Sequence, residues 1–280
     1  MKKSLNKAYK TGLKYAFDGY VHNLKEKLDS IYLKYNKKEY VNPDPLLFLY
    51  DYPDKKDREI AGFIAACCAY GRVDMIMQVV DQILKKIGPS PFAYLMNQAK
   101  KDIENDFKGF KYRFAKDIHL VNLLWGIREV INNYSSLENC FYEKISSDDK
   151  TVHNGLKFLY EHITANRETG HLLADPKKNS ACKRSHLFLR WMVRKDLVDP
   201  GGWEKVSPSQ LIVPLDTHMY KIGSMLGFTK RKNQDIKTAM EITQGFKEVL
   251  PNDPVKYDFC LTRFGIRRDL SMDNLEKRIL

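Results

Sequence analysis

Apolar side chains follow the helical period along almost the whole chain. Over residues 2 to about 38, Leu5, Tyr9, Leu13, Ala16, Tyr20, Leu24, Leu28, Ile31 and Tyr35 recur at steps of three and four, which predicts one long amphipathic helix. The stretch 57–70 is different in kind. Ile60, Ala61, Phe63, Ile64, Ala65 and Ala66 make it hydrophobic nearly all round, so a central buried helix stopped by Gly71 is expected. Amphipathic helices are predicted over 73–87, ended by Gly88-Pro89, and over 91–96, 118–132, 136–145, 151–164, 233–249 and 253–264. Alternating strand patterns, internal repeats and glycine-rich phosphate loops are missing, so the predicted fold class is all-α. Residues 267–280 read as a charged, loosely held tail.

One segment breaks the period. In Phe107-Lys-Gly-Phe-Lys-Tyr-Arg-Phe-Ala115, aromatics alternate with cations and no helical face collects the apolar side chains. Rings interleaved with Arg and Lys can stack on bases while pairing phosphates, and they can equally be loop aromatics that plug a core.

Charge sharpens the picture. A formal net charge of +12 and a sequence pI near 9.3 favour a polyanionic partner, nucleic acid first. Ten lysines stand against four acids in the first forty residues, either a track for a phosphate backbone or a solvated helix face. Between Pro176 and Lys195 no acid interrupts Lys177, Lys178, Lys183, Arg184, Arg190 and Arg194, the strongest candidate for a phosphate footprint. The 5 cysteines form no C-x-x-C pair and no His-joined cluster, so neither structural zinc nor an iron-sulfur cluster is expected. Apolar surroundings at Cys67, Cys68 and Cys260 suit buried thiols in a reducing compartment. No apolar stretch reaches bilayer length, so a cytoplasmic protein without a membrane partner is expected.

Chemistry concentrates at two predicted helix starts. Asn179 or Ser180 can cap a helix carrying Leu187, Phe188, Trp191 and Met192, with Lys183 in its first turn and Arg194-Lys195 at its C-terminal end. Pro214 blocks an earlier start for the next helix, and Asp216 can offer its carboxylate to the N–H groups of Thr217, His218 and Met219. A lysine amine is protonated near neutral pH and attacks carbon only when its pKa is depressed, by a helix N-terminus, neighbouring cations or desolvation. So activated, it can attack the anomeric carbon of a nucleoside, displace the base and form a Schiff base with the opened sugar. An ionised aspartate nearby can stabilise positive charge on that sugar and move protons. The plainer alternative leaves Lys183 binding phosphate and Asp216 capping its helix.

Lys183 followed at long range by Val213-Pro-Leu-Asp-Thr-His-Met-Tyr-Lys-Ile222 resembles the helix-hairpin-helix DNA glycosylase superfamily, in spacing the archaeal 8-oxoguanine glycosylase branch more than the endonuclease III branch. Ala181-Cys-Lys-Arg-Ser-His-Leu-Phe-Leu-Arg-Trp-Met-Val-Arg194, Asp199-Pro-Gly-Gly-Trp203 and Asp253-Pro-Val-Lys-Tyr-Asp-Phe259 are more closely similar to an uncharacterised bacterial family, the domain of unknown function 2400 family, over roughly residues 10–266. The superfamily resemblance implies two helical lobes with a cleft between them in a glycosylase-like unit over 1–266. Central helices over about 57–170 would form one lobe; the N-terminal helix and about 175–266 would form the other.

The resemblance also implies a base-excision glycosylase with abasic-site lyase activity on double-stranded DNA, acting on a flipped-out, oxidised purine without metal or cofactor. Lys183 matches the nucleophile and Asp216 the catalytic aspartate, while the Glu59–Tyr70 stretch is similar to the superfamily's early core helix. Tyr70, Phe110, Tyr112, Trp191 and Trp203 are the candidate base pocket, and Lys177, Lys178, Ser180, Arg184 and Arg190 the candidate phosphate contacts. The chain departs from the pattern in lacking the hairpin glycines, replaced by Pro176-Lys-Lys-Asn-Ser180, and the C-terminal four-cysteine motif. Rival expectations are a nucleic-acid-binding helical protein without chemistry and a helical scaffold for a protein or membrane partner.

Overall fold

A computed structural model gives the backbone of residues 2–280 and describes side chains from residue 19 onward. The chain is mostly helical. Its first helix, α1 (Lys2–Tyr35), buries Leu24, Leu28, Ile31 and Tyr35, while the expected contacts of Leu5 to Ala16 lie outside the described side chains. A 3-10 helix, Pro45–Asp51, follows; the Asp44 carboxylate caps it by accepting from the Leu46 N–H at 3.0 Å. The apolar run becomes α2 (Lys55–Cys68), started by Asp54, whose carboxylate accepts from the N–H groups of Lys56 and Asp57, and buried continuously from Glu59 to Cys68.

Next come α3 (Val73–Ile87), α4 (Pro91–Asn97) and α5 (Lys100–Asp106). The last was not expected. Ile103 is its only buried residue, too little to set up an apolar period. The aromatic and cationic segment folds as a hairpin of β1 (Lys111–Tyr112) and β2 (Ala115–Lys116), antiparallel with Tyr112 opposite Ala115. The remaining helices are α6 (Asp117–Tyr134), α7 (Leu137–Tyr142), α8 (His153–Thr164), α9 (Lys183–Val193), α10 (Thr217–Met225), α11 (Ile236–Val249), α12 (Asp258–Ile266) and α13 (Met272–Ile279).

Helix α2 lies against α9, α3, α4 and the 3-10 helix. Helices α6, α7 and α8 pack on one another, and α10 to α13 pack among themselves and on α1. The α6–α8 contact requires Gly126, because a Cβ there would stand 2.0 Å from the Ile163 carbonyl oxygen. One contiguous apolar core joins residues from Leu24 to Ile279. The segment expected to be a loose tail is part of it: α13 buries Leu275 and Ile279 and packs on α1 and α12, because these two apolar side chains fall on one face among its charges. Among the described residues no helix is long and apolar enough to cross a membrane.

Charge is buried at two places behind α9. Glu59 accepts from the Leu137 and Glu138 N–H groups at the start of α7, both at 2.9 Å, and from Trp203 Nε1 at 2.6 Å. Burial pushes its carboxyl up to about 7, against the pull of these three donors. On the opposite side of α9 lie Arg190 and Arg194. Asp199 bridges them, accepting from Arg190 Nε at 3.2 Å and from Arg194 Nη1 at 2.5 Å. Arg190 Nη1 also donates to Asp258, and Arg194 donates to Asp196 and Asp253. A buried ion cluster adds little over an apolar core when intact, but removing one partner strands the rest, at about 3–5 kcal/mol. Arg194→Met is therefore expected to lower unfolding stability by about 3–5 kcal/mol in a urea titration; a loss below about 1 kcal/mol would mean that the cluster behaves like surface charge.

Candidate active site

The chain reaches α9 through a strained residue. Cys182 takes the left-handed conformation, φ 44° and ψ 39°, and its N–H donates to Ser180 Oγ at 3.2 Å. The helix therefore begins at Lys183 itself. Neither Asn179 nor Ser180 caps it, contrary to expectation: the Asn179 carbonyl accepts from the Ile236 N–H, and Ser180 bridges to Asp235, tying this stretch to the start of α11. Arg194, expected to serve the helix C-terminus with Lys195, instead points into the buried ion cluster.

From the first position of α9, Lys183 looks into a cleft of about 460 Å³, within the usual range for a small-molecule or base site. Leu187 and Arg190, one and two turns further along the same face, line it as well. The other walls are Asp44 before the 3-10 helix, Ala69 to Gly71 after α2, Pro214 to His218 at the start of α10, and Asp258 to Ile266 on α12. A larger depression of about 850 Å³ lies elsewhere, around Asp148, Lys205 and Lys247, and has no buried polar atom without a partner. The cleft has several. Arg190 Nη2, Asp258 Oδ1, and Arg263 Nε and Nη1 are buried there without hydrogen-bond partners among the described residues. Buried polar groups are normally paired, so their concentration at one surface marks the place where a polar ligand can complete them.

Lys183 Nζ donates a long hydrogen bond, 3.4 Å, to the Ala69 carbonyl at the end of α2. Burial holds its pKa below the ordinary lysine value. Asp216, Asp44 and Asp258 oppose this in that order, and the Arg184 charge adds to the lowering. The three carboxylates are not equivalent. Asp44 Oδ2 accepts from Arg263 at 2.8 Å, and Asp258 accepts from Arg190. Burial pushes the Asp258 carboxyl up to about 6, with Asp216 adding to the rise and Arg190 opposing it. Among the described residues, Asp216 has no cationic partner. Its Oδ1 caps α10 through the Met219 N–H at 2.8 Å, one of the three expected donors, and its Oδ2 receives no hydrogen bond from the described residues.

The structure thus brings Lys183 and Asp216 into one cleft, with Tyr70 in its wall. It separates most of the other expected residues. Tyr112 is buried behind Tyr70, ring centroids 4.9 Å apart, with its hydroxyl donating to the Cys68 and Tyr70 carbonyls. Phe110 lines a different depression with Gln82, Lys86 and Asp106. Trp191 and Trp203, 0% and 3% exposed, belong to the core, where Trp203 rests on Phe141 and Phe188; neither ring can stack on a base without unpacking that core.

Two expected phosphate contacts are also corrected. Arg190 lines the cleft, but at 2% exposed and held in the ion cluster it does not present its guanidinium to a phosphate at the surface. Arg184 is occupied internally, donating to the Cys67 and Leu172 carbonyls at 2.6 and 3.0 Å and stacking over Tyr70. Lys177, Lys178 and Ser180 remain exposed, Lys177 paired with Glu161 at the surface.

Sequence reasoning missed Asp44, Asp258, Arg263 and His218 as cleft residues. A signal existed for two of them: Asp258 and Arg263 are opposite charges inside the otherwise apolar run Asp258-Phe-Cys-Leu-Thr-Arg-Phe264. Among the described residues no cluster of three His, Cys, Asp or Glu side chains could hold a metal ion, and all five cysteines are buried and free.

Fold and site together define a mostly helical protein with a desolvated amine and a carboxylate that, among the described residues, has no cationic partner, in one cleft. The model of the family described as a protein of unknown function (DUF2400) matches residues 44–267, and the chain belongs to that family. No curated protein and no solved structure matches it.

Because Asp216 exerts the strongest upward pull on the Lys183 pKa, Asp216→Asn is expected to lower that pKa further. NMR titration of protein labelled with 13Cε-lysine reads the change directly. An upward shift, or none, would show that the two side chains do not share the field described.

Proposed function

We propose that this protein is a DNA base-excision glycosylase with abasic-site lyase activity, acting through a Schiff base on Lys183 and directed at an oxidised purine such as 8-oxoguanine. The observation that carries the reading is the pairing, in one cleft, of an amine whose burial favours its neutral form with a carboxylate left free of cations.

Neutral Lys183 Nζ attacks C1′ of a nucleotide turned out of the duplex, forming the N–C1′ bond as the glycosidic bond breaks and the base departs with a proton. Opening of the sugar ring places the second bonding pair between nitrogen and C1′, and O4′ takes up a proton. The Asp216 carboxylate stabilises the positive charge that develops on the sugar and carries protons between these atoms. Loss of a C2′ proton from the Schiff base then expels the 3′ phosphate and cuts the strand. Asp44 and Asp258, tied to arginines, hold the amine in a balanced field without competing for that charge. Tyr70 offers an aromatic wall, and Lys177, Lys178 and Ser180 form an exposed loop ahead of α9 for phosphate contact.

Borohydride reduction in the presence of abasic duplex DNA tests the reading. The wild type is expected to give a covalent adduct, Lys183→Ala none, and Asp216→Asn an adduct formed roughly 10²- to 10⁴-fold more slowly. Since only the unprotonated amine attacks, the trapping rate should rise with pH and level off above a midpoint lower than that of an ordinary lysine. Absence of a wild-type adduct, or an equal yield from Lys183→Ala, would remove the lyase mechanism. Salt-sensitive DNA binding without an adduct would leave a non-catalytic nucleic-acid-binding protein.

A further inference from the structure

The hairpin of β1 and β2 has features that packing alone does not require. Its register leaves Arg113 and Phe114 as a two-residue turn. Arg113 is held at φ 51°, in the left-handed region where this position of a tight hairpin normally takes glycine. Phe114 follows it at the tip, 62% exposed, an apolar ring set in water beside His171. Around it, Lys108, Lys111, Arg113 and Lys116 are exposed, and among the described residues none of the four is in an ion pair.

The hairpin sits at the rim of the cleft. The Tyr70 hydroxyl donates to the Tyr112 carbonyl at 3.3 Å, and the Tyr112 hydroxyl returns bonds to the Tyr70 and Cys68 carbonyls. Arg113 lies so close to Gly71 that a Cβ there would come within 2.8 Å of its guanidinium. Tyr70 and Gly71 both line the cleft that holds Lys183. A buried tyrosine therefore fixes the base of the turn to the cleft wall, while the turn itself projects an aromatic ring flanked by free cations.

We propose that Phe114 is the wedge that enters the base stack when a nucleotide is turned into the cleft, with Lys108, Lys111, Arg113 and Lys116 pairing the phosphates on either side; this rests on the glycosylase reading above. Taking a base out of a duplex leaves a gap between its neighbours, and an inserted apolar ring restores the stacking that was lost. The strained turn keeps the ring outside the core, so it meets the duplex ready to insert. Phe114 is a positioning residue. It does not touch the reacting atoms.

The test uses the full chain and a duplex bearing a tetrahydrofuran abasic analogue with 2-aminopurine as the neighbouring base. Wild type is expected to bind it and change the 2-aminopurine fluorescence as the ring stacks. Phe114→Ala should bind roughly tenfold or more weakly and lose the fluorescence change, and Phe114→Trp should recover both. Borohydride trapping on a single-stranded abasic oligonucleotide, which has no paired stack to restore, should be unchanged in Phe114→Ala; this also shows that the variant is folded. If the wild type traps abasic DNA and Phe114→Ala matches it in duplex binding and in fluorescence, the wedge assignment is overturned while the lyase reading stands. If the wild type forms no adduct on any abasic DNA, the lyase reading falls first and the wedge with it.

Discussion

Two arginines one turn apart on the buried side of α9 fix the geometry of the cleft. Arg190 and Arg194 cannot be desolvated alone, because an isolated guanidinium in a medium of low dielectric is far too costly, so their carboxylate partners dictate where the helix can lie. Asp199 joins the two just beyond the helix end, Asp253 and Asp258 bind them to the start of α12, and Asp44 reaches α12 through Arg263. Each pair spans elements distant in the chain. Slippage of α9 against α12 would break several at once, which makes the placement of α9 discrete rather than adjustable. The first residue of that helix is Lys183.

The same carboxylates set the electrostatics of the amine. Burial drives Lys183 toward its neutral form, and three aspartates drive it back. Because Arg263 and Arg190 take up the charge of Asp44 and Asp258, the restoring field that remains uncompensated is that of Asp216. A nucleophilic amine needs this opposition: burial alone would leave it unable to carry charge at any stage, and a full complement of free carboxylates would keep it protonated. The left-handed Cys182 adds a mechanical contribution, since it ends the loop abruptly and starts α9 at Lys183 rather than at an earlier cap. Strain of this kind persists only where surrounding structure enforces it, here the ties from Asn179 and Ser180 to the start of α11.

Much of the helical order was legible in the sequence because it depends on local periodicity and local stops. The predicted 73–87 helix is α3, and α2 was recognised as central because its run from Ile60 to Cys68 carries no charged or polar side chain. The positions of Lys183 and Asp216 at helix starts were legible too, that of Asp216 from Pro214 and its own capping carboxylate, that of Lys183 from the apolar period of α9 alone, since the expected caps do not form. Their partners were not. Asp258 and Arg263 read as polar positions of an amphipathic helix despite their apolar neighbours, and the pairings Asp258–Arg190 and Asp44–Arg263, between residues distant in the chain, leave no trace in spacing. Trp191 and Trp203 show the converse error: an aromatic near a basic helix start invites a role in stacking, but α9 is buried all round from Ser185 to Val193, Trp191 included, and Glu59 holds Trp203 in the core. The tail was misjudged because two apolar residues among many charges carry little weight until a partner surface is known.

The central claim is that one particular amine is the nucleophile, and the most direct measurement is the identity of the lysine that becomes attached to DNA. Protein reduced with borohydride on an abasic oligonucleotide, digested with protease and nuclease and analysed by tandem mass spectrometry, reports that residue. The account predicts the sugar remnant on Lys183. A remnant on Lys177, Lys178 or another exposed lysine, with Lys183 unmodified, would contradict it.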